Sequence, residues 1–321
     1  MNIDMLRESA SISRSLVREN GLTLIELMIS IALGLLVVMA ATALLLSTKS
    51  GYLAQDDEAR MDDTGRYAME ILTRAIRQAA YVNWDRQEAP AIVKPEMNPS
   101  IEGLDAHRLK SDAPWMASPV AAPVNGSDVL SVQFFGAPEG TVVNCAGFPV
   151  ADQQRSGSLF YVAEDSLGEP QLYCKYLGNS SWKADAIVRG VEGFQVLYGV
   201  DTDDDGLPNQ MVSATGVNAL DATTIPQGVS IAVGNAKTHW KKIATVQIAV
   251  LVRGTNNTRI PASTDDLIFD MFGKEYSDMH ASADKGVRLT ETNFSKATRN
   301  RQRRMYATTV HLRNQASGSG D

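Results

Sequence analysis

Glu26 is a carboxylate at the fifth position of the apolar run that begins at Leu22, directly after Gly21. A charge in hydrocarbon costs ~2.5–3.5 kcal/mol on insertion scales, so the residue needs either an interfacial position or a counter-charge. Cleavage after Gly21 would create that counter-charge. The freed α-amine of Leu22, with a pKa of about 7.7–8.0, would be a cation one helical turn from Glu26, or opposite the Glu26 of a neighbouring helix.

A second cluster is "DTDDDGLPN". Asp201, Asp203 and Asp205 fall at positions 1, 3 and 5 of an EF-hand-like loop, with Gly206 at the turn. The Leu207 carbonyl and Asn209 stand where further oxygen ligands would be, which makes Ca2+ the candidate ion. Position 12 is Val212 rather than Glu, and the pattern reads equally well as an acidic turn between strands. Cys145 and Cys174 are the only cysteines; alone they allow a disulfide, two thiols or part of a metal site. No C-x-x-C pair accompanies them, which argues against zinc. Neither a nucleophile elbow, a phosphate-binding loop nor an H-E-x-x-H helix is present, and His107, His239, His280 and His311 lack a catalytic partner at informative spacing. The expectation is a non-enzyme needing no cofactor. A net charge of −7 also argues against nucleic acid as the main partner. The basic run Lys296–Tyr306 is expected to be a solvated loop entering a last strand.

These residues need elements to position them. Residues 27–46 carry no charge, and at ~1.5 Å per residue such a helix crosses a hydrocarbon core of ~30 Å. The run outlasts a secretory h-region of about 7–15 residues and continues past Ala41-Thr42-Ala43, so it is expected to remain in the mature protein. Arg7, Arg14 and Arg18 against Lys49 tilt the N-terminus toward the cytoplasm. Beyond Gly51, Ala68, Leu72, Ala75, Ile76 and Ala79 form an apolar helical stripe, with Glu70 and Arg74 as an outer i,i+4 pair. The acidic stretch Gln55–Asp63 between the two halves reads as a solvated helix face. Residues 84–127 contain six prolines and read as a long loop. Alternating segments follow: Leu130/Val132/Phe134, "SLFYVAE" and "PQLYCKY" around a turn, Phe194/Val196/Tyr198/Val200, Val246/Ile248/Val250/Val252, and "MYATTVHLRN". One long helix followed by strands predicts an α+β fold with a mostly antiparallel sheet. The tail "QASGSGD" reads as disordered.

Gly21, a hydrophobic residue and then "TLIELMIS" resemble the class III leader of type IV prepilins and type II secretion pseudopilins. The resemblance implies cleavage after Gly21 by a prepilin peptidase, N-methylation of Leu22, and Glu26 as the assembly carboxylate. Leu22 replaces the family's usual Phe, and no proline interrupts residues 22–81, where many major pilins carry one. It also implies a pilin-like plan: leader 1–21, long helix 22–82 with its membrane part at about 24–46, and a periplasmic β domain at 83–321. That compartment is oxidising, which favours a Cys145–Cys174 disulfide. "GSDVLSVQFFG", "VVNCAG", "VEGFQVLYGVDTDDDGLPN", "IATVQIAVLVRG" and "YATTVHLRN" further resemble, in order, PilW-type minor pilins. The implied role is to prime type IV pilus assembly and occupy a tip complex, serving twitching motility, adhesion or DNA uptake. Implied partners are the prepilin peptidase, other minor pilins, the major pilin, the inner-membrane assembly platform and lipid. The rival readings are a type II secretion pseudopilin of the J type and a membrane-anchored adhesin.

Overall fold

The computed structural model describes residues 21–83, 94–259 and 267–314. The leader arginines, the first part of the Pro-rich connection and the "QASGSGD" tail lie outside these residues. The described chain divides into two compact units after Tyr52.

A single helix, α1, runs Leu24–Arg77 without a break at Gly34 or Gly51. Thr23 starts it: its Oγ1 accepts from Glu26 N at 3.3 Å, and Glu26 Oε2 accepts from Thr23 N at 2.9 Å. This is a reciprocal T-x-x-E capping box, which satisfies donors a helix N-terminus otherwise leaves orphaned. Every residue from 21 to 52 is exposed, including Leu24, Ile25, Leu35, Leu36 and Leu44. So long an exposed apolar surface is unfavourable in water, and by length and composition the helix can cross a membrane.

The second unit contains the rest of α1 and the strands β1 Ile101–Leu104, β2 Val129–Phe135, β3 Arg155–Glu164, β4 Pro170–Leu177, β5 Trp182–Arg189, β6 Val191–Val200, β7 Gln210–Val212, β8 Ile243–Arg253, β9 Ile268–Asp270, β10 Arg288–Thr290 and β11 Arg303–His311. Three short helices, α2 Ala214–Thr224, α3 Ile231–Lys237 and α4 Lys274–His280, lie in the connections. Strands β1 to β5 form an antiparallel meander in chain order; a second antiparallel sheet has the order β11-β8-β6-β7, and β9 pairs with β10. The fold is α+β and pilin-like, as the sequence predicts, with two main sheets rather than one.

The helical stripe Ala68, Leu72, Ala75, Ile76 and Ala79 is buried in one core with Leu130, Val132 and Phe134 of β2, Phe194, Val196 and Tyr198 of β6, and Val246, Ile248 and Val250 of β8. The alternation predicted for these strands therefore faces this core. The opposite faces are buried too. Val129, Leu159 and Tyr161 join Leu109 in a second cluster, and Ala249 and Leu251 join Met271, Leu289 and Phe294 in a third. The Pro-rich region is thus not all loop: it holds β1, and a bridge between Arg108 and Val120.

Two surface expectations change. The stretch Gln55–Asp63 is not simply solvated. Asp57 is fully buried, and its Oδ1 accepts from Thr255 N at 2.8 Å and Thr255 Oγ1 at 2.9 Å. Asp62 accepts from Arg304 Nη1 and Tyr306 Oη, both at 2.6 Å. Gly65 allows the close approach of this strand, since a Cβ there would lie 2.2 Å from the Tyr306 ring. The basic run is a partly exposed loop entering β11, with Lys296, Asn300 and Arg304 exposed, but Arg303 is folded inward. Arg303 pairs through Nε with Glu192 at 2.6 Å, and its guanidinium lies 3.8 Å from the Phe294 ring centroid. Arg253 binds the same Glu192 at 2.8 Å and also pairs with Glu169, so two arginines neutralise a nearly buried carboxylate. The Glu70–Arg74 pair is not formed among the described residues.

Cys145 and Cys174 form the expected disulfide, with Cα atoms 5.9 Å apart. It ties the loop before β3 to the buried face of β4. A bridge spanning 29 positions stabilises by about 3–4 kcal/mol in the loop-entropy account. Urea unfolding of the oxidised protein and of a Cys145→Ala/Cys174→Ala variant is expected to differ by at least that amount, because Cys174 is also fully buried.

Candidate processing and assembly site

The candidate processing site lies at the start of α1. Gly21 has an ordinary backbone conformation, and a Cβ built on it meets nothing within 4 Å. Neither turn geometry nor packing in this fold requires glycine there. Leu22 is 78% exposed, so the Gly21–Leu22 bond is open to whatever approaches. Thr23 holds Glu26 through its backbone N–H and its hydroxyl, which donates to Oε2 at 3.0 Å. Glu26 Oε1 has no hydrogen bond among the described residues, so one oxygen serves the helix cap and the other is available to a cation. The sequence reading assigned Glu26 but missed Thr23, although the T-x-x-E signature was present.

A second constellation lies in the β6–β7 connection. Asp201, Asp203 and Asp205 place one carboxylate oxygen each within 4.8 Å of one another. Asp201 is buried, while Asp203 and Asp205 are exposed. Burial alone would raise the Asp201 pKa. Hydrogen bonding, led by the Gly206 backbone N–H, outweighs it and holds the carboxyl below its ordinary range. Asn209 is turned elsewhere: its Oδ1 accepts from Thr202 N at 2.6 Å and Thr202 Oγ1 at 2.9 Å, clasping the loop shut. Leu207 N donates to Asp205 Oδ1 at 2.8 Å.

Among the described residues, His239 and His107 serve local structure. His239 Nδ1 lies 2.8 Å from Asp221, whose carboxylate also accepts from His239 N and Thr238 Oγ1 at the turn before β8. That arrangement secures a turn. His107 Nδ1 contacts the carbonyl of Asp105, and Asp105 itself caps α2 through Ala214 N and Thr215 N.

Residues 16–42 match the prokaryotic N-terminal methylation motif, which spans Gly21, Leu22 and Glu26. Residues 159–314 match the family described as type IV pilus-assembly protein W, a stretch running from within β3 to just beyond β11. The "GSDVLSVQFFG" and "VVNCAG" segments precede the matched residues. No curated protein and no solved structure matches the chain. The methylation motif and the exposed apolar helix mark a membrane-anchored pilin that is processed by a prepilin peptidase and assembles with other pilins. Taken with the family match over residues 159–314, they support a PilW-type minor pilin with a class III leader.

Proposed function

We propose that the protein primes type IV pilus assembly and occupies a tip complex, as a structural subunit with no catalytic step of its own. It is cut after Gly21 on the cytoplasmic side, N-methylated at Leu22, and held in the inner membrane with residues 53–321 in the periplasm. The assembly platform and the other minor pilins then receive it, and the major pilin is added beneath. The observation that carries this reading is the single carboxylate, Glu26, at the head of the exposed apolar part of α1, where no other charge occurs up to residue 48. Glu26 Oε1 accepts no hydrogen bond among the described residues, and a neighbour's Leu22 amine would neutralise it where bulk water is absent. A domain of this size would crowd a shaft built of repeated copies, which favours a terminal place. A divalent cation in the Asp201 loop is the one ligand added to this picture.

Deletion of the chain is expected to abolish or strongly reduce surface pili and twitching while leaving exoprotein export intact. The processed protein is expected to co-purify with other minor pilins. Normal piliation in the deletion strain would refute the priming role, and loss of export instead would assign the chain to a secretion pseudopilus.

A further inference from the structure

We propose that Asp201, Asp203 and Asp205 form a weak Ca2+ site that fastens the β6–β7 connection at the edge of the four-stranded sheet. Three features converge on it. The first is the span of the cluster: one oxygen from each carboxylate lies within 4.8 Å of the others, no more than twice a Ca2+–O distance of about 2.4 Å. Each pair of these oxygens is close enough to share one ion, and a small inward shift of the exposed Asp203 and Asp205 side chains lets a single ion touch all three.

The second feature is an unmet need. Asp201 is 9% exposed, and its Oδ2 accepts from Gly206 N at 2.8 Å. Its Oδ1 is buried without a hydrogen-bond partner. An ionised acceptor removed from water and left unsatisfied is strongly unfavourable, and a cation in the cluster would satisfy it. The third is the placement of the nearby positive charge. Lys242 pairs at 3.0 Å with Asp204, which is outside the cluster, so it does not bind the three grouped carboxylates directly.

The backbone is shaped for the same end. Gly206 has φ +86°, the left-handed conformation a tight ligand loop needs, and the loop closes through Asp201 N to the Lys242 carbonyl and Asn209 N to the Val200 carbonyl. Asn209 acts here as the clasp on Thr202 rather than as a direct ligand, leaving the Leu207 carbonyl and water to complete the shell. Val212, in β7, replaces the bidentate Glu of a high-affinity loop. Affinity on the order of 10⁻⁴–10⁻³ M follows, the range of extracellular Ca2+ modules. Mg2+ demands near-octahedral geometry and sheds water reluctantly, so it should bind poorly.

The test uses the processed full-length chain in detergent, stripped with chelator and titrated with CaCl2 by calorimetry and thermal melting. At 10 mM Ca2+ the melting temperature of the globular unit should rise by about 3–6 °C, with little response to Mg2+. Asp203→Asn, at an exposed position, should preserve the apo melting temperature and weaken Ca2+ binding at least tenfold. Asp204→Asn should change binding less than about threefold, because Asp204 lies outside the cluster. No response to 10 mM Ca2+ would overturn the proposal. Equal losses in the Asp203 and Asp204 variants would also overturn it, since that pattern indicates diffuse charge screening. Neither readout depends on pilus assembly, so failure here leaves the priming role standing and the converse also holds.

Discussion

Replacing Gly21 with a bulky residue such as Val is expected to leave a fully folded chain that is never processed. The structural half of this expectation rests on empty space: a Cβ at position 21 meets nothing within 4 Å, and the backbone is not in the left-handed region. A surface substitution of that kind changes stability by no more than about 0.5 kcal/mol. The chemical half rests on the peptidase. It must bring its catalytic groups against the carbonyl of residue 21, and a branched side chain beside that carbonyl obstructs the approach. Near-attack geometry is strict, and even a 1 Å misplacement can cost a hundredfold in rate. Intact-mass analysis of membrane extracts should therefore find only the precursor, carrying residues 1–21 and no methyl group. The disulfide and the unfolding midpoint of the globular unit should match the parent protein. Mature product at parental levels would show that glycine is not the recognition element. A shifted midpoint would reveal a structural role that the open surroundings of Gly21 do not suggest.

The contrast between Gly21 and Gly65 shows what the sequence could and could not disclose. Gly21 was legible because its significance is local: glycine, an apolar residue and Glu26 make one short motif. Gly65 is set by Tyr306, 241 positions away, whose ring occupies the space a Cβ would fill. The same division runs through the fold. Alternation in β2, β6 and β8 was readable because strand side chains repeat with a period of two. It suggested one buried face, yet every residue of β2 and β6 is buried. The covering pieces, Leu109 and the three-residue strands β9 and β10, are too short to have a period of their own. Asp57 looked like one member of a solvated acidic face, because its partners Thr255 and Thr258 follow β8. Arg303 looked like part of a basic surface because Glu192 lies in a strand that otherwise reads as apolar. At the candidate sites, the Asp201 triad was visible as spacing, whereas the buried, unpartnered oxygen that gives it chemical interest is a property of three dimensions.

Glu26→Gln should be processed normally and should still fail to assemble. Two functions meet in this side chain, and the glutamine variant separates them. The capping box asks only for an acceptor reaching back to Thr23 N, which the amide oxygen of Gln supplies as well. Loss of a cap costs about 0.5–2 kcal/mol of helix stability, so Glu26→Ala would confound frayed structure with lost charge. Glu26→Gln retains the cap and removes the charge alone. In the isolated subunit that change is neutral to favourable: a carboxylate costs ~2.5–3.5 kcal/mol at mid-bilayer, less at a helix end that reaches the interface, and a neutral amide largely avoids the cost. The variant should therefore accumulate in the membrane at parental levels or above. Assembly reverses the sign. A neighbour's Leu22 amine, protonated below a pKa of about 7.7–8.0, would then lack its counter-ion among apolar helices. The expected result is at least a tenfold drop in the pilus-to-membrane ratio, the factor that 1.4 kcal/mol represents at 25 °C. Sheared pili and membranes compared by quantitative mass spectrometry give that ratio, with cleavage and N-methylation read from the same peptides. Normal incorporation of Glu26→Gln alongside failure of Glu26→Ala would make Glu26 a helix cap, and the charge-pairing mechanism would have to be abandoned.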